Sequence, residues 1–281
     1  MSQRTALTAD PPGAPELALP TVEVEDLVVA FGELRAVDGV SFSVGRGEVF
    51  GLLGPNGAGK TTTLRVITTL LRPDGGRARV AGHDVGSESL QVRASIGYVP
   101  QALSADGALT ARENLEFYAR VTGVPRRERE VRIEEAVAAM QIEALMDRLA
   151  RDFSGGMLRR LEIASALLNE PIVLFLDEPT VGLDPIARGL VWERLHELRK
   201  RAATTIVVTT HMMEEAERNC ERLAIMDRGR LVAEGTPPEL REMHGVAGLE
   251  EVFREVTGLK VEEEGRMADV RSARRVARRL G

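Results

Sequence analysis

Gly54-Pro55-Asn56-Gly57-Ala58-Gly59-Lys60-Thr61-Thr62 decides the fold. It follows the pattern of a phosphate-binding loop: glycine, four free positions, then glycine, lysine and threonine. Val49-Phe50-Gly51-Leu52-Leu53, before it, reads as a short buried strand. Thr63 to Leu71, after it, reads as a helix with Leu64, Ile67 and Leu71 at i, i+3 and i+7. A glycine-rich turn alone can precede any helix; the strand, the lysine and the threonine make this one a site. Glycines let the backbone approach phosphates closely. Successive N–H groups at a helix N-terminus then bind the anion. Lys60 is expected to reach the β- and γ-phosphates and Thr61 to ligate Mg²⁺.

Short antiparallel strands are expected before this loop. Val22, Val24 and Val28 to Phe31 suggest one, and Ala36 to Val44 another, with Val40, Phe42 and Val44 alternating. Beyond the loop, Arg72-Pro73-Asp74-Gly75-Gly76 is a stop and turn. Ala78 to Gly82 then reads as strand and turn, and Ile96 to Gln101 as a strand ending in a glutamine loop. From Thr110 to Leu149 the chain is helical and charged. Thr110-Ala111-Arg112-Glu113 is a capping box, and a second helix is expected over Arg126–Met140.

Phe153-Ser154-Gly155-Gly156-Met157 opens another helix, with Leu161, Ala164 and Leu168 continuing its apolar stripe. Ile172 to Leu176 is an unbroken apolar run, as a strand buried on both faces requires. It ends in Asp177-Glu178. Asp184-Pro185 is an N-cap followed by proline at the first helical position. Thr205 to Thr210 is a further buried strand ending at His211, and Leu223–Met226 pairs with Leu231–Ala233 as a hairpin. Buried strands alternating with helices predict a parallel α/β sheet, whose ligands sit at the C-terminal strand ends. Gly54–Thr62, Asp177, Glu178 and His211 all follow strands, so they converge on one crevice. There Asp177 would hold Mg²⁺, and Glu178 would orient or deprotonate a water for attack on the γ-phosphate. A solvated loop is the other reading of an Asp-Glu pair, and the buried strand before it argues against that.

Composition sets the bounds. The 281 residues suffice for a substantial core, and 43% hydrophobic content is ordinary for a globular chain. A net charge of −6 makes the whole chain no obvious nucleic-acid binder. Cys220 is the single cysteine, so no intrachain disulfide forms and a reducing cytoplasm fits. No apolar run approaches the roughly 20 residues of a membrane span. Any membrane work therefore calls for a separate transmembrane subunit. Residues 1–20, rich in Ala and Pro, read as a disordered tail.

With Ser154-Gly155-Gly156 set between a phosphate loop and an Asp-Glu strand, the chain resembles the ATP-binding subunit of an ATP-binding-cassette (ABC) transporter. The resemblance runs from about Thr21 to Gly258. It implies a P-loop NTPase fold with a parallel core sheet, an N-terminal antiparallel β subdomain and an inserted α-helical subdomain. The cassette is placed at 21–245, the insertion at about 102–158 and a C-terminal extension at 246–281. ATP and Mg²⁺ are the implied ligands. Ser154, Gly155 and Gly156 match the signature that binds the γ-phosphate held by the other subunit of a homodimer. Phe31 matches the aromatic that stacks on adenine; core packing is its other reading. Gln101 matches the glutamine that touches Mg²⁺ and senses the membrane partner. Leu183 and Asp184 match the loop that crosses to the opposite subunit, and His211 the switch histidine on the γ-phosphate.

Met157 replaces the glutamine of the commonest signature and removes a polar contact. Ser-Gly-Gly-Met, followed by Arg159-Arg160-Leu161-Glu162, is similar to drug-exporter subunits of the daunorubicin-resistance type, as is Leu249-Glu250-Glu251-Val252-Phe253. The resemblance implies a subunit at the inner face of the cell membrane. A non-transport ABC ATPase acting on ribosome or DNA is the rival. The translation factors of that kind carry two cassettes, and the repair proteins a long coiled coil; this chain has one cassette and no sustained heptads. Glu214, Glu215 and Glu217 read as a solvated helix face, and His83, His196 and His244 as surface or packing residues. Val270–Leu280 has the spacing of a basic amphipathic helix that could touch an anionic membrane surface, but a solvated or disordered end is the favoured reading.

Overall fold

The computed structural model describes residues 20–258. The N-terminal tail and the basic segment Val270–Leu280 lie outside those residues. Two sheets form the frame. Strands β1 (Val22–Phe31), β2 (Leu34–Val44), β4 (Gly75–Val80) and β5 (His83–Asp84) make an antiparallel sheet of order β2-β1-β4-β5. The second sheet has six strands. They are β3 (Val49–Leu53), β6 (Ile96–Val99), β7 (Val173–Asp177), β8 (Thr205–Thr210), β9 (Arg222–Asp227) and β10 (Arg230–Gly235), in order β10-β9-β3-β8-β7-β6. All its pairs are parallel except β9 with β10.

Period-two alternation explains why this sheet is covered on both faces. On β7, Val173 and Phe175 enter one apolar cluster, while Leu174 and Leu176 enter the other. On β8, Val207 joins the first cluster, and Ile206 and Val208 the second. The first cluster is closed by the antiparallel sheet and by α1 (Lys60–Ile67). Phe42 of β2 stacks on Phe50 of β3 there, with ring centroids 5.3 Å apart. The second is closed mainly by α3 (Ala111–Val121), α4 (Arg129–Met140), α5 (Gly155–Leu167) and α6 (Pro185–Ala202). Short helices α2 (Ser89–Ser95), α7 (Met213–Asn219), α8 (Pro237–His244) and α9 (Leu249–Thr257) complete the described chain. Leu249, Val252 and Phe253 of α9 belong to the second cluster, so α9 packs into the main core.

Several expectations need correction. The helix after the phosphate loop stops at Ile67 and does not reach Leu71, because Thr69 adopts a left-handed φ of 63°. The buried strand begins at Val173; Ile172 precedes it and is 47% exposed. The second charged helix starts at Arg129, three residues later than expected. The strand expected at Ala78 begins at Gly75, because Gly75 pairs with Val28 across the sheet. Helix α2 was not legible at all: its seven residues bury only Val92, too little for a periodic signal. The Thr110 capping box and the Asp184 cap form as read. Thr110 accepts from the Glu113 N–H, and Asp184 from Ile186 and Ala187.

Candidate functional site

Register brings the site together. Leu53 pairs with Thr210, Asp177 with Thr209, and Leu176 with Val99. The C-terminal ends of β3, β8, β7 and β6 therefore stand side by side. The next residues along the chain carry the phosphate loop, His211, Glu178 and the Gln101 loop.

The loop has the shape of an anion cradle. Gly59 has φ 104° at the N-terminus of α1, and a Cβ there would sit 2.4 Å from the Ala36 carbonyl oxygen. Gly57 has φ 87° and open space where a Cβ would point. Only glycine suits both positions. The Lys60 ammonium, with the residue 5% exposed, donates to the carbonyls of Gly54 at 2.7 Å and Pro55 at 3.1 Å. It lies 3.7 Å from Glu178 Oε1. Burial lowers its pKa from the ordinary lysine value, while Glu178 and Asp177 act in the opposite sense. Pro55, Asn56, Ala58 and Thr62 complete the turn and the first helical residues.

Two hydroxyls meet Asp177. Thr61 Oγ1 lies 3.1 Å and Thr209 Oγ1 2.6 Å from Asp177 Oδ1. A carboxylate beside a hydroxyl is the hard oxygen set that Mg²⁺ takes when substrate phosphates complete its shell. Among the described residues no group of three or more His, Cys, Asp or Glu forms a metal cage. The donors present thus suit a cation shared with a bound phosphate, and the residues fit the implied ion.

Glu178 is held by its whole surroundings. Its φ is 49°, unusual for a residue with a side chain, and its N–H donates to Thr209. Gln101 Nε2 donates to Glu178 Oε2 at 2.7 Å, and His211 Nδ1 stands 3.2 Å from Oε1. The His211 hydrogen bond, with Lys60 nearby, holds the carboxyl below the usual glutamate range against the opposing effect of burial. It is an ionised acceptor at neutral pH, the state a general base needs. Gln101 here contacts Glu178 directly.

Ser154 and Gly155 stand exposed at the start of α5, and Ser154 Oγ accepts from the Met157 N–H at 3.4 Å. Gly156 is buried: a Cβ there would lie 2.7 Å from Cβ of Ala187 on α6. Met157 packs against the second core cluster. Phe31 is 53% exposed, which removes core packing as the reason for an aromatic at that position.

Sequence reasoning missed two features. Arg159 is buried on α5 and donates to the carbonyls of Pro100 at 2.8 Å and Gln101 at 3.0 Å. It pairs at 3.1 Å with buried Glu162, which accepts from Ser104. The glutamine loop is thereby fixed to the helix that begins at Ser154. Glu215 does not belong to a solvated face. It is buried and accepts from Thr180 and Trp192. Glu214 is exposed as read. An acidic run gives no sign of which member turns inward.

A model of the ABC transporter family matches residues 37–181. A Nod factor export ATP-binding protein I of Ralstonia nicotianae is 46% identical over 82% of this chain and 71% of its own length. A daunorubicin resistance ATP-binding protein of Streptomyces coeruleorubidus is 44% identical over 83% of this chain and 72% of its own. A solved ATP-binding cassette, a dimer in a post-hydrolysis state bound to ADP and inorganic phosphate, superposes with a TM-score of 0.68. It shares 27% identity over 76% of this chain and 98% of its own. No helix among the described residues is long and apolar enough to cross a membrane. The P-loop fold, the crevice at the strand ends and these relatives lead to one conclusion: the chain belongs to the ABC transporter family, as an ATP-binding and ATP-hydrolysing subunit.

Proposed function

We propose that this chain powers export of an amphipathic small molecule through a separate membrane subunit, working at the inner face of the membrane. The observation that carries the reading is the meeting of Lys60, Asp177, Gln101 and His211 around Glu178 at aligned strand ends. The Ser-Gly-Gly-Met signature and the exporter names of the relatives favour export.

In this reading Gly54–Thr62 wraps the phosphates of ATP, and Lys60 leaves its loop carbonyls to reach the β- and γ-oxygens. Phe31 offers its exposed ring to adenine. Thr61 and Asp177 would hold Mg²⁺, with Gln101 reaching toward the same centre, and the ion would supply positive charge against the phosphates. Glu178 takes the proton of the attacking water, and His211 orients the carboxylate and contacts the γ-phosphate. Two copies close head to tail. Ser154, Gly155 and Gly156 of one then present a helix N-terminus to the nucleotide of the other, and Leu183-Asp184 cross between them. The cassette is assigned to 21–245, its helical insertion to about 102–158 and the extension to 246–281.

The membrane subunit is placed on the surface of Gln101–Thr122. Leu103, Phe117 and Val121 are large apolar side chains left exposed there, Phe117 by 60%. Co-purification with a neighbouring six-span protein, with crosslinks through Phe117, tests this. Crosslinks confined to 246–281, or capture of ribosome or DNA in its place, would overturn it.

A further inference from the structure

Glu215 is 5% exposed, although Glu214 and Glu217 flank it on the short helix α7. Thr180 Oγ1 lies 2.5 and 2.8 Å from its two carboxylate oxygens, and the indole N–H of Trp192 donates to Oε1. Thr180 and Trp192 are themselves buried. A carboxylate is costly to bury unless donors meet it, and here the Thr180 hydroxyl and the Trp192 indole supply one proton each.

The three residues come from three functional segments. Thr180 lies two positions beyond Glu178, in the loop that leads to Asp184. Trp192 is on α6, the helix that Asp184 caps and that carries Ala187 against Gly156. Glu215 is four residues beyond His211. A second tie runs parallel to the first. Asn219 Nδ2 donates to the Glu215 carbonyl at 2.8 Å, and Asn219 Oδ1 stands 3.1 Å from Nε2 of His196 on α6. The His211 segment cannot shift against α6 or the Thr180–Asp184 loop without breaking these bonds.

We propose that Glu215 is a positioning residue. It locks the His211 segment to the loop after Glu178 and to α6, so that the three move as one piece during the ATP cycle. The proposal rests on the ATPase reading of Glu178 and His211. It gives one buried side chain control over both the residue behind the γ-phosphate and the loop assigned to the opposite subunit.

The test uses the full-length chain and measures kcat, nucleotide affinity and fluorescence. Trp192 is the only tryptophan, so its emission reports the bond to Glu215 directly. Glu215→Gln should shift that emission. It should also lower kcat about tenfold, the scale of losing a hydrogen bond to a charged acceptor, with ATP affinity unchanged. Thr180→Val, which keeps the shape and removes the hydroxyl, should lose as much, and Thr180→Ser should retain wild-type kcat. The Glu215→Gln, Thr180→Val double variant should fall no further than the worse single one, because both break one unit. Wild-type kcat in Thr180→Val, losses that multiply in the double variant, or ATP affinity falling in step with kcat would overturn the proposal. If Glu215→Gln does not fold, the Thr180 pair decides alone. Wild-type turnover in Glu178→Gln would instead refute the reading of Glu178 on which the proposal rests.

Discussion

Thr61 Oγ1 lies 3.1 Å from Asp177 Oδ1, joining residues 116 positions apart. One ends the phosphate loop and the other ends a buried strand. Their meeting depends on the register of β3, β8 and β7, which brings the ends of the three strands level. Lys60 sits next to this pair and makes its strongest contacts with the loop's own carbonyls.

Lys60→Ala should abolish ATP binding or turnover. Lys60 is the loop's only cationic side chain, and an ammonium on the phosphates is what the loop offers beyond backbone N–H groups. Nucleotide binding and phosphate release check this; unchanged turnover would remove the loop from the mechanism.

Gly156 and Met157 are adjacent but should respond differently. Gly156→Ala puts a methyl 2.7 Å from Cβ of Ala187, so α5 and α6 must move apart. That overpacking should cost about 1–3 kcal/mol in thermal or denaturant melts. Met157→Leu nearly conserves volume and should keep most activity, costing under about 1.5 kcal/mol. An activity loss in Met157→Leu as large as in Ser154→Ala would show that the sulfur acts chemically.

The capping box of α3 predicts a pH dependence. The backbone N–H and hydroxyl of Thr110 both donate to Glu113, holding its carboxyl below the usual glutamate value. A carboxyl depressed on folding stabilises fully above its unfolded pKa, near 4.5. That stability is lost as pH falls through the lower folded pKa. The wild type should therefore lose its advantage over Glu113→Gln as melts are moved from pH 6 to below about pH 4. A constant difference across that range would mean the cap is not ionic.

The sequence was most legible where chemistry demands fixed spacing. Gly54 to Thr62 and Asp177-Glu178 are read from residues a few positions apart, each next to an apolar run. The Asp184 cap and the Thr110 capping box are equally local. Contacts between distant segments were not legible. Glu215 is 35 residues from Thr180 and 23 from Trp192, and nothing in an acidic helix marks the inward member. Arg159 likewise stands among other arginines, while its partners are carbonyls of a loop 58 and 59 residues earlier. The early stop at Ile67 turns on a backbone dihedral at Thr69 that threonine rarely adopts.

The most direct measurement is the association state of Glu178→Gln. The substitution keeps the shape of the side chain and removes the base and its charge. Lys60, Thr61 and Asp177 remain, so ATP should still bind and stay intact between Lys60 of one copy and Ser154 of the other. In size-exclusion chromatography the variant should run as a dimer with ATP and Mg²⁺ and as a monomer with ADP. Adding Ser154→Arg should abolish the dimer by blocking the second helix N-terminus. Hydrolysis at the wild-type rate would show that Glu178 is not the base. An inactive variant that stays monomeric with ATP would contradict the head-to-tail closure of the isolated subunit.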